Sequence, residues 1–376
     1  MREDKRIIIK NLLDLDLKIN TNIIRKNAEI LSKKYIEIEN LWNKLKRSNF
    51  NIIKLKENSK DYDDILKIAR ENYLSKFEYY NNFLKNGIND IIKLSKENVT
   101  FYYINKDDKY ENDKEKINRL FREIIILSEY FNNKHDIVVI WVPINRERKF
   151  SYDSIDSLES SIKNYEAFTA SGVTFGENPR YTIISRYEEI DKLLLHELIH
   201  NLYLDGSNYH HELCNEIKHE YEKIKKKGNY DYEFAIYESY TELLSSYLNL
   251  IFKNLVNNFR YKNLKELEDK LFNQIIIELL YSYNLICNLI NINGYKNFDE
   301  FLKKTIFKGE ICFYEYYFLK ALLYNNYVLE DNDGLKNTIN NYRNIINVSK
   351  KDELLEKIYK NYINNDSYSY VFYNNY

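Results

Sequence analysis

The sequence predicts an α+β fold that is predominantly α-helical, on three observations. Its 376 residues include only 8 glycines and 2 prolines, so few positions force the chain out of helix. Long stretches set Leu, Ile and Tyr among Lys and Glu at three- and four-residue spacing, the pattern of a half-buried helix. One β-branched and aromatic run, Ile137 to Val142 (IVVIWV), breaks this texture and is closed by Pro143, as a buried strand would be.

Taken in chain order, residues 1–130 read as a helical region. Asn22 to Leu45 and Asp63 to Leu84 carry the helical spacing, and no glycine or proline occurs before Gly87. Lys106 to Lys116 is a charged, turn-like run and reads as a loop. Both prolines, Pro143 and Pro179, and two glycines, Gly172 and Gly176, fall between 143 and 179, which makes Val173–Phe175 and Tyr181–Ser185 short strands. This is the only part that looks like sheet. Ser185-Arg186-Tyr187-Glu188 fits a capping box and predicts a helix starting directly after a strand. Further helices are expected at 211–227, 232–256, 264–290, 310–327 and 351–363. The regions divide as 1–130, 131–258 and 259–376, with no fixed-period repeat.

Composition narrows the function. At 44% hydrophobic and 30% charged the chain can bury a core. A net charge of −1 argues against nucleic acid as the main partner, since Lys225-Lys226-Lys227 is a short basic run in a balanced chain. Three separated cysteines give neither a disulfide framework nor a CxxC motif. The start, MREDKRIIIKNLLDLD, does not read as a secretory signal. Gln274 to Ile292 carries Glu278, Asn284, Asn288 and Asn291, so a buried helix is expected there rather than a membrane span. A soluble, cytoplasmic protein is the expectation. Its 37 tyrosines, with recurrent Ile, Asn and Lys, read as the imprint of an AT-rich genome.

One motif carries chemistry: Leu195-His196-Glu197-Leu198-Ile199-His200, an HExxH. His196 and His200 are one helical turn apart, so both imidazoles leave one face and can meet a tetrahedral Zn²⁺. Glu197 lies about 100° round the helix, within reach of a water on the metal, where a base must take the proton. Two histidines and a glutamate in this apolar helix would be costly to bury without a partner. The pattern HExxHxxGxxH fails, because Tyr203 and Gly206 occupy its last two fixed positions and Asp205 is one residue out of register. A third ligand must come from elsewhere. Glu212, Glu216, Glu220 and Glu222 lie in a stretch charged on most faces. Glu238 and Glu242 are the only charged residues between Phe234 and Phe252, and they share a helix face where like charges repel. A cation would explain both, with Glu238 on zinc and Glu242 hydrogen-bonded to a ligand imidazole.

His196-Glu197-Leu198-Ile199-His200, followed 38 residues later by Glu238-Ser239-Tyr240-Thr241-Glu242, resembles the gluzincin branch of the zincin metallopeptidases. The resemblance implies a zincin-like, thermolysin-like core within 131–258: a small sheet, the HExxH helix and a glutamate helix crossing behind it, flanked by helical regions. It also implies a glutamate ligand on the second helix and an acidic residue four positions on supporting a histidine. Glu242 stands where many relatives have Asp, and Tyr237 where Asn often precedes the ligand, so the choice between Glu238 and Glu242 as third ligand stays open. The string SRYEEIDKLLLHELIHNLYLDG is also similar to uncharacterised HExxH proteins of large AT-rich DNA viruses, which would put the chain in host-cell cytoplasm or the virion. Extended substrates in zincins pair with an edge strand, and Gly172, Val173 and Thr174 are its candidates. Tyr237, Tyr240, His210, His211 and Arg186 are candidate transition-state donors, whereas His135 reads as structural. The expected function is zinc-dependent hydrolysis of a protein or peptide, with no nucleic-acid or membrane partner and with the flanking helices covering the cleft or recruiting a protein. The rival is an inactive zinc-stabilised scaffold or virion structural component.

Overall fold

Ile137 to Val142, apolar at every position, can only be satisfied at the centre of a sheet covered on both faces, and it lies there. The computed structural model describes residues 19–46, 48, 50–85, 87–145, 171–188, 190–205, 236–292 and 319–329. Its strands are β1 (Asn51–Leu55), β2 (Ile88–Lys96), β3 (Val99–Lys106), β4 (Ile137–Ile144), β5 (Gly172–Phe175) and β6 (Arg180–Arg186). They form one mixed sheet in the order β1-β2-β3-β4-β6-β5. β3, β4 and β6 run parallel, while β1 and β2 at one side and β5 at the other are antiparallel to their neighbours.

The helices are α1 (Thr21–Leu45), α2 (Lys60–Arg70), α3 (Glu78–Lys85), α4 (Tyr110–Tyr130), α5 (Ile190–Asn201), α6 (Ile236–Val256), α7 (Leu264–Ile292) and α8 (Lys320–Asn326). Strand alternation divides them into two layers. Phe101, Tyr103, Val139, Trp141 and Ile184 face a large cluster filled by α1 and α4–α8. Ile91, Tyr102, Ile104, Ile140, Val142 and Ile183 face a smaller one closed by α2, α3 and the 3₁₀ turn Tyr73–Lys76 between them. The expected α+β, predominantly helical class is what the chain adopts. Among the described residues no helix is long and apolar enough to cross a membrane.

Several local expectations are corrected. The sheet is not confined to 137–185, because β1, β2 and β3 lie in the stretch read as helical. The predicted helix 63–84 breaks at Asn72, whose side chain donates to Ala69 O (2.6 Å) and accepts from Leu74 N (2.8 Å), replacing the helical ladder with local bonds. The loop at 106–116 shrinks to a turn, and α4 begins at Tyr110. Ser185 is not a helix cap. It belongs to β6, where its N–H and its hydroxyl both donate to Ser171 O, and α5 starts at Ile190. The helices expected at 211–227 and 351–363, and 310–318 of another, lie outside the described residues.

Candidate metal centre

α5 follows β6 and packs its apolar side into the large core through Ile190, Leu194, Leu195, Leu198 and Ile199. Its remaining face presents His196 and His200 towards α6, which crosses against it. Its β-branched and small polar residues would weaken such a helix alone, but α6 is held by burial of Leu243, Tyr247, Leu248, Ile251 and Phe252. That packing sets Glu238, in the first turn of α6, opposite the two imidazoles.

The geometry is tight. His196 Nε2 and His200 Nε2 are 3.1 Å apart, and Glu238 Oε2 lies 3.3 Å from the first and 3.4 Å from the second. A tetrahedral zinc ion with bonds of about 2.0–2.1 Å requires ligand atoms roughly 3.3–3.4 Å from one another. Each ring's other nitrogen faces a carboxylate: His196 Nδ1 lies 3.0 Å from Glu242 Oε1, and His200 Nδ1 bonds Asp205 Oδ2. In the neutral ring this pairing assigns the proton to Nδ1 and leaves a lone pair on each Nε2. Two imidazole lone pairs and a carboxylate oxygen therefore converge on one point. Glu238 Oε2 is buried and without a hydrogen-bond partner among the described residues. Such an arrangement repels itself unless ring protons or a metal cation stand between the groups, and a nitrogen, nitrogen, oxygen donor set suits Zn²⁺. His196, His200 and Glu238 can hold a metal ion.

The electrostatics agree. Burial would lower the pKa of both histidines, yet the carboxylates around them outweigh it: His196 is raised to about 9, and His200 well above its usual value. Glu238 and Glu242 are held far below the carboxylate range despite burial, Glu238 chiefly by His200 and Glu242 chiefly by Lys192. Among the described residues four carboxylates (Glu197, Glu238, Glu242, Asp205) and two lysines (Lys192, Lys320) gather here. With neutral rings two negative charges are left over; protons on His196 and His200 balance them in the ion-free site, and a divalent ion bound by the neutral rings would balance them equally.

Glu197 points beside the ligands to β5. Its Oε2 accepts from Thr174 Oγ1 at 2.8 Å, and burial raises its pKa. A Cβ on Gly172 would meet Glu197 Cγ at 2.7 Å, so only glycine lets the strand approach this closely. β5 is the outermost described strand at this end of the sheet.

Residues 178–246 match the WLM domain, a zinc-protease-like family. The WLM match begins just before β6 and ends within α6, so it contains His196, Glu197, His200, Asp205, Glu238 and Glu242. Gly172, Thr174 and Lys320 lie outside it. No curated protein and no solved structure matches the chain.

Of the other residues considered from sequence, Tyr237 stands at the site, whereas Arg186, Tyr240 and His135 fall elsewhere. Arg186 is buried against Ser171 Oγ (2.5 Å) and 3.9 Å from Glu188. Tyr240 packs on Tyr327, and His135 binds Asn201 Oδ1 at 3.1 Å. Tyr237 stacks edge-on to the His200 ring at 5.9 Å. His210, His211, Glu212, Glu216, Glu220 and Glu222 lie outside the described residues. Sequence reasoning missed Asp205 as a partner of His200, and missed Lys192 and Lys320 on Glu242. Lys192, one turn before His196, had a readable signal in its spacing. Lys320 had none.

Proposed function

We propose that the chain is a zinc-dependent metallopeptidase of gluzincin-like ligation, with Zn²⁺ held by His196, His200 and Glu238. The observation that carries this reading is the convergence of two imidazole lone pairs and an unpartnered buried carboxylate oxygen. Zinc bound there supplies a Lewis acid for a peptide carbonyl and lowers the pKa of a water in its open position toward ~7. Glu197 is the general base. Thr174 donates to Oε2, which leaves Oε1 to take a proton from water and return it to the leaving amine. Burial, by raising the Glu197 pKa, strengthens it as a base. Glu242 and Asp205 hold the two rings in the ligating tautomer. The substrate is an extended protein or peptide segment that pairs with β5 at Gly172, Val173 and Thr174.

The test combines metal content and cleavage. Protein purified without chelator is expected to carry one zinc per chain. His196→Ala and Glu238→Ala should lose it. Glu197→Gln should keep it while cleavage of a denatured protein substrate falls by at least ~10²-fold. Equal behaviour of wild type and Glu197→Gln on every substrate would leave a zinc-stabilised scaffold as the account.

A further inference from the structure

Lys320 is a lysine on α8 that is 1% exposed, a rare placement that demands a partner. Its Nζ lies 3.5 Å from Glu242 Oε2, and Lys192 Nζ binds the same oxygen. The other oxygen, Oε1, is the one 3.0 Å from His196 Nδ1. The carboxylate is thus divided, with one oxygen clamped by two ammonium groups and the other aimed at the imidazole. We infer that Lys320 is a positioning residue of the metal centre, acting through Glu242 on His196, and that α8 is therefore a built part of the site although it lies outside the WLM match.

The physical reason is orientation and charge. A carboxylate that orients a ligating imidazole must be ionised and fixed in rotation. Burial works against the first and a lone partner leaves the second loose. Two lysines on Oε2 serve both needs. The lysine itself is strained by this arrangement, since burial and the neighbouring Lys192 pull its pKa down to about 8 against the attraction of Glu242 and Glu278. α8 is not free to drift. Asn27 of α1, fully buried, donates to Tyr327 O and accepts from Leu329 N, each at 2.8 Å, which fastens the end of α8 to the core. Tyr324 of α8 packs edge-on to Tyr247 of α6 at 5.4 Å, close to the turn that carries Glu242. A line of contacts therefore runs from α1 through α8 to His196.

This inference rests on the zinc reading, and one experiment separates their failures. Zinc affinity of the full chain is measured by competition with a chromophoric chelator, alongside the melting temperature of the zinc-free protein. Lys320→Met is expected to weaken zinc binding about 10-fold or more, and Lys320→Arg to stay within about threefold of wild type. If wild type binds no zinc, the metal reading itself falls. If wild type binds zinc and Lys320→Met binds it equally well, the metal reading stands and this inference is overturned. Should Lys320→Met not fold, Glu242→Gln is compared with Glu242→Gln/Lys320→Met. A residue that acts through Glu242 adds no loss once that carboxylate is neutral, so affinities within about twofold support the inference. A further loss of about 10-fold in the double variant overturns it.

Discussion

Thr174 Oγ1 is 2.8 Å from Glu197 Oε2 and 3.1 Å from Thr182 Oγ1, so a single hydroxyl on β5 sets the rotation of the proposed base. A hydrogen bond to a charged group contributes about 1.5–3 kcal/mol. Thr174→Val keeps the shape and removes the donor, so turnover should fall roughly 10- to 100-fold with zinc content unchanged, and Thr174→Ser should restore most of it. Assaying the three proteins at equal zinc occupancy decides this, and a valine variant as active as wild type would remove Thr174 from the mechanism. Gly172 is constrained differently. An added methyl would stand 2.7 Å from Glu197 Cγ, so Gly172→Ala must push either β5 or the carboxylate away. Overpacking of this kind costs about 1–3 kcal/mol. Chemical denaturation should show that loss, and Gly172→Ala should also lower activity more than it lowers zinc binding.

α4 and α5 meet through a partly buried ion cluster. Arg119 of α4 bridges Glu123, one helical turn on, and Asp191 in the first turn of α5, at 3.0 and 2.5 Å. Glu123 is 1% exposed, and burial raises its pKa from 4.5 to about 8 although Arg119 opposes the change. A carboxyl raised in the folded state contributes stability that is complete below 4.5 and is lost as pH climbs towards 8. Glu123→Gln should therefore melt with wild type at pH 4.5 and a few degrees above it near pH 8.5, on the order of 1 kcal/mol or more. Thermal melts at the two pH values check the sign, and a difference that does not change with pH would show that Glu123 does not titrate in this interval.

At the same scale the sequence is readable where a helix or strand has one unmixed pattern. β4 declares itself through IVVIWV and Pro143, and α5 and α6 through apolar runs in which His196, His200, Glu238 and Glu242 stand out as isolated polar groups. β1, β2 and β3 do not. Their Ile, Lys, Asn and Tyr serve equally in helices of this chain, and the hairpin between β2 and β3 turns on Glu97 with φ 53° rather than on glycine. The turn before α4 uses Asp107 and Asp108, also at positive φ; aspartate marks such a turn, which is why 106–116 read as a loop, but no glycine punctuates either corner. The continuous β-branched and aromatic run VTFYYI of β3 was the available signal. In the site, HExxH is local and legible; Asp205 is local too, five residues after His200, but stands in no motif, whereas Lys320 acts across the fold, where spacing carries no information.

Across the whole molecule the candidate ligands come from two helices, α5 and α6, that belong to one buried cluster with α1, α4, α7 and α8. Without an ion, folding must bring two histidines and a carboxylate oxygen to within 3.1–3.4 Å of each other in a site shielded from water. Zinc that binds only the folded chain stabilises it by RT ln(1 + [Zn]/Kd), about 4.1 kcal/mol when free zinc is a thousand times Kd. For a chain longer than 250 residues each kcal/mol moves the melting temperature by roughly 2 °C, so saturating zinc should raise it by several degrees. A chelator should reverse the rise. Because the ligands must shed protons to bind, and His196 in the ion-free fold is raised to about 9, the rise should shrink progressively as pH falls below about 9. Glu197→Gln should keep the full effect, since that side chain is not a ligand, while His196→Ala and Glu238→Ala should lose most of it. Lys320→Met should need about 10-fold more zinc to reach the same rise. Calorimetric scans of these proteins with zinc and with chelator provide the measurement, and an equal rise in wild type and His196→Ala would put the ion somewhere other than between α5 and α6.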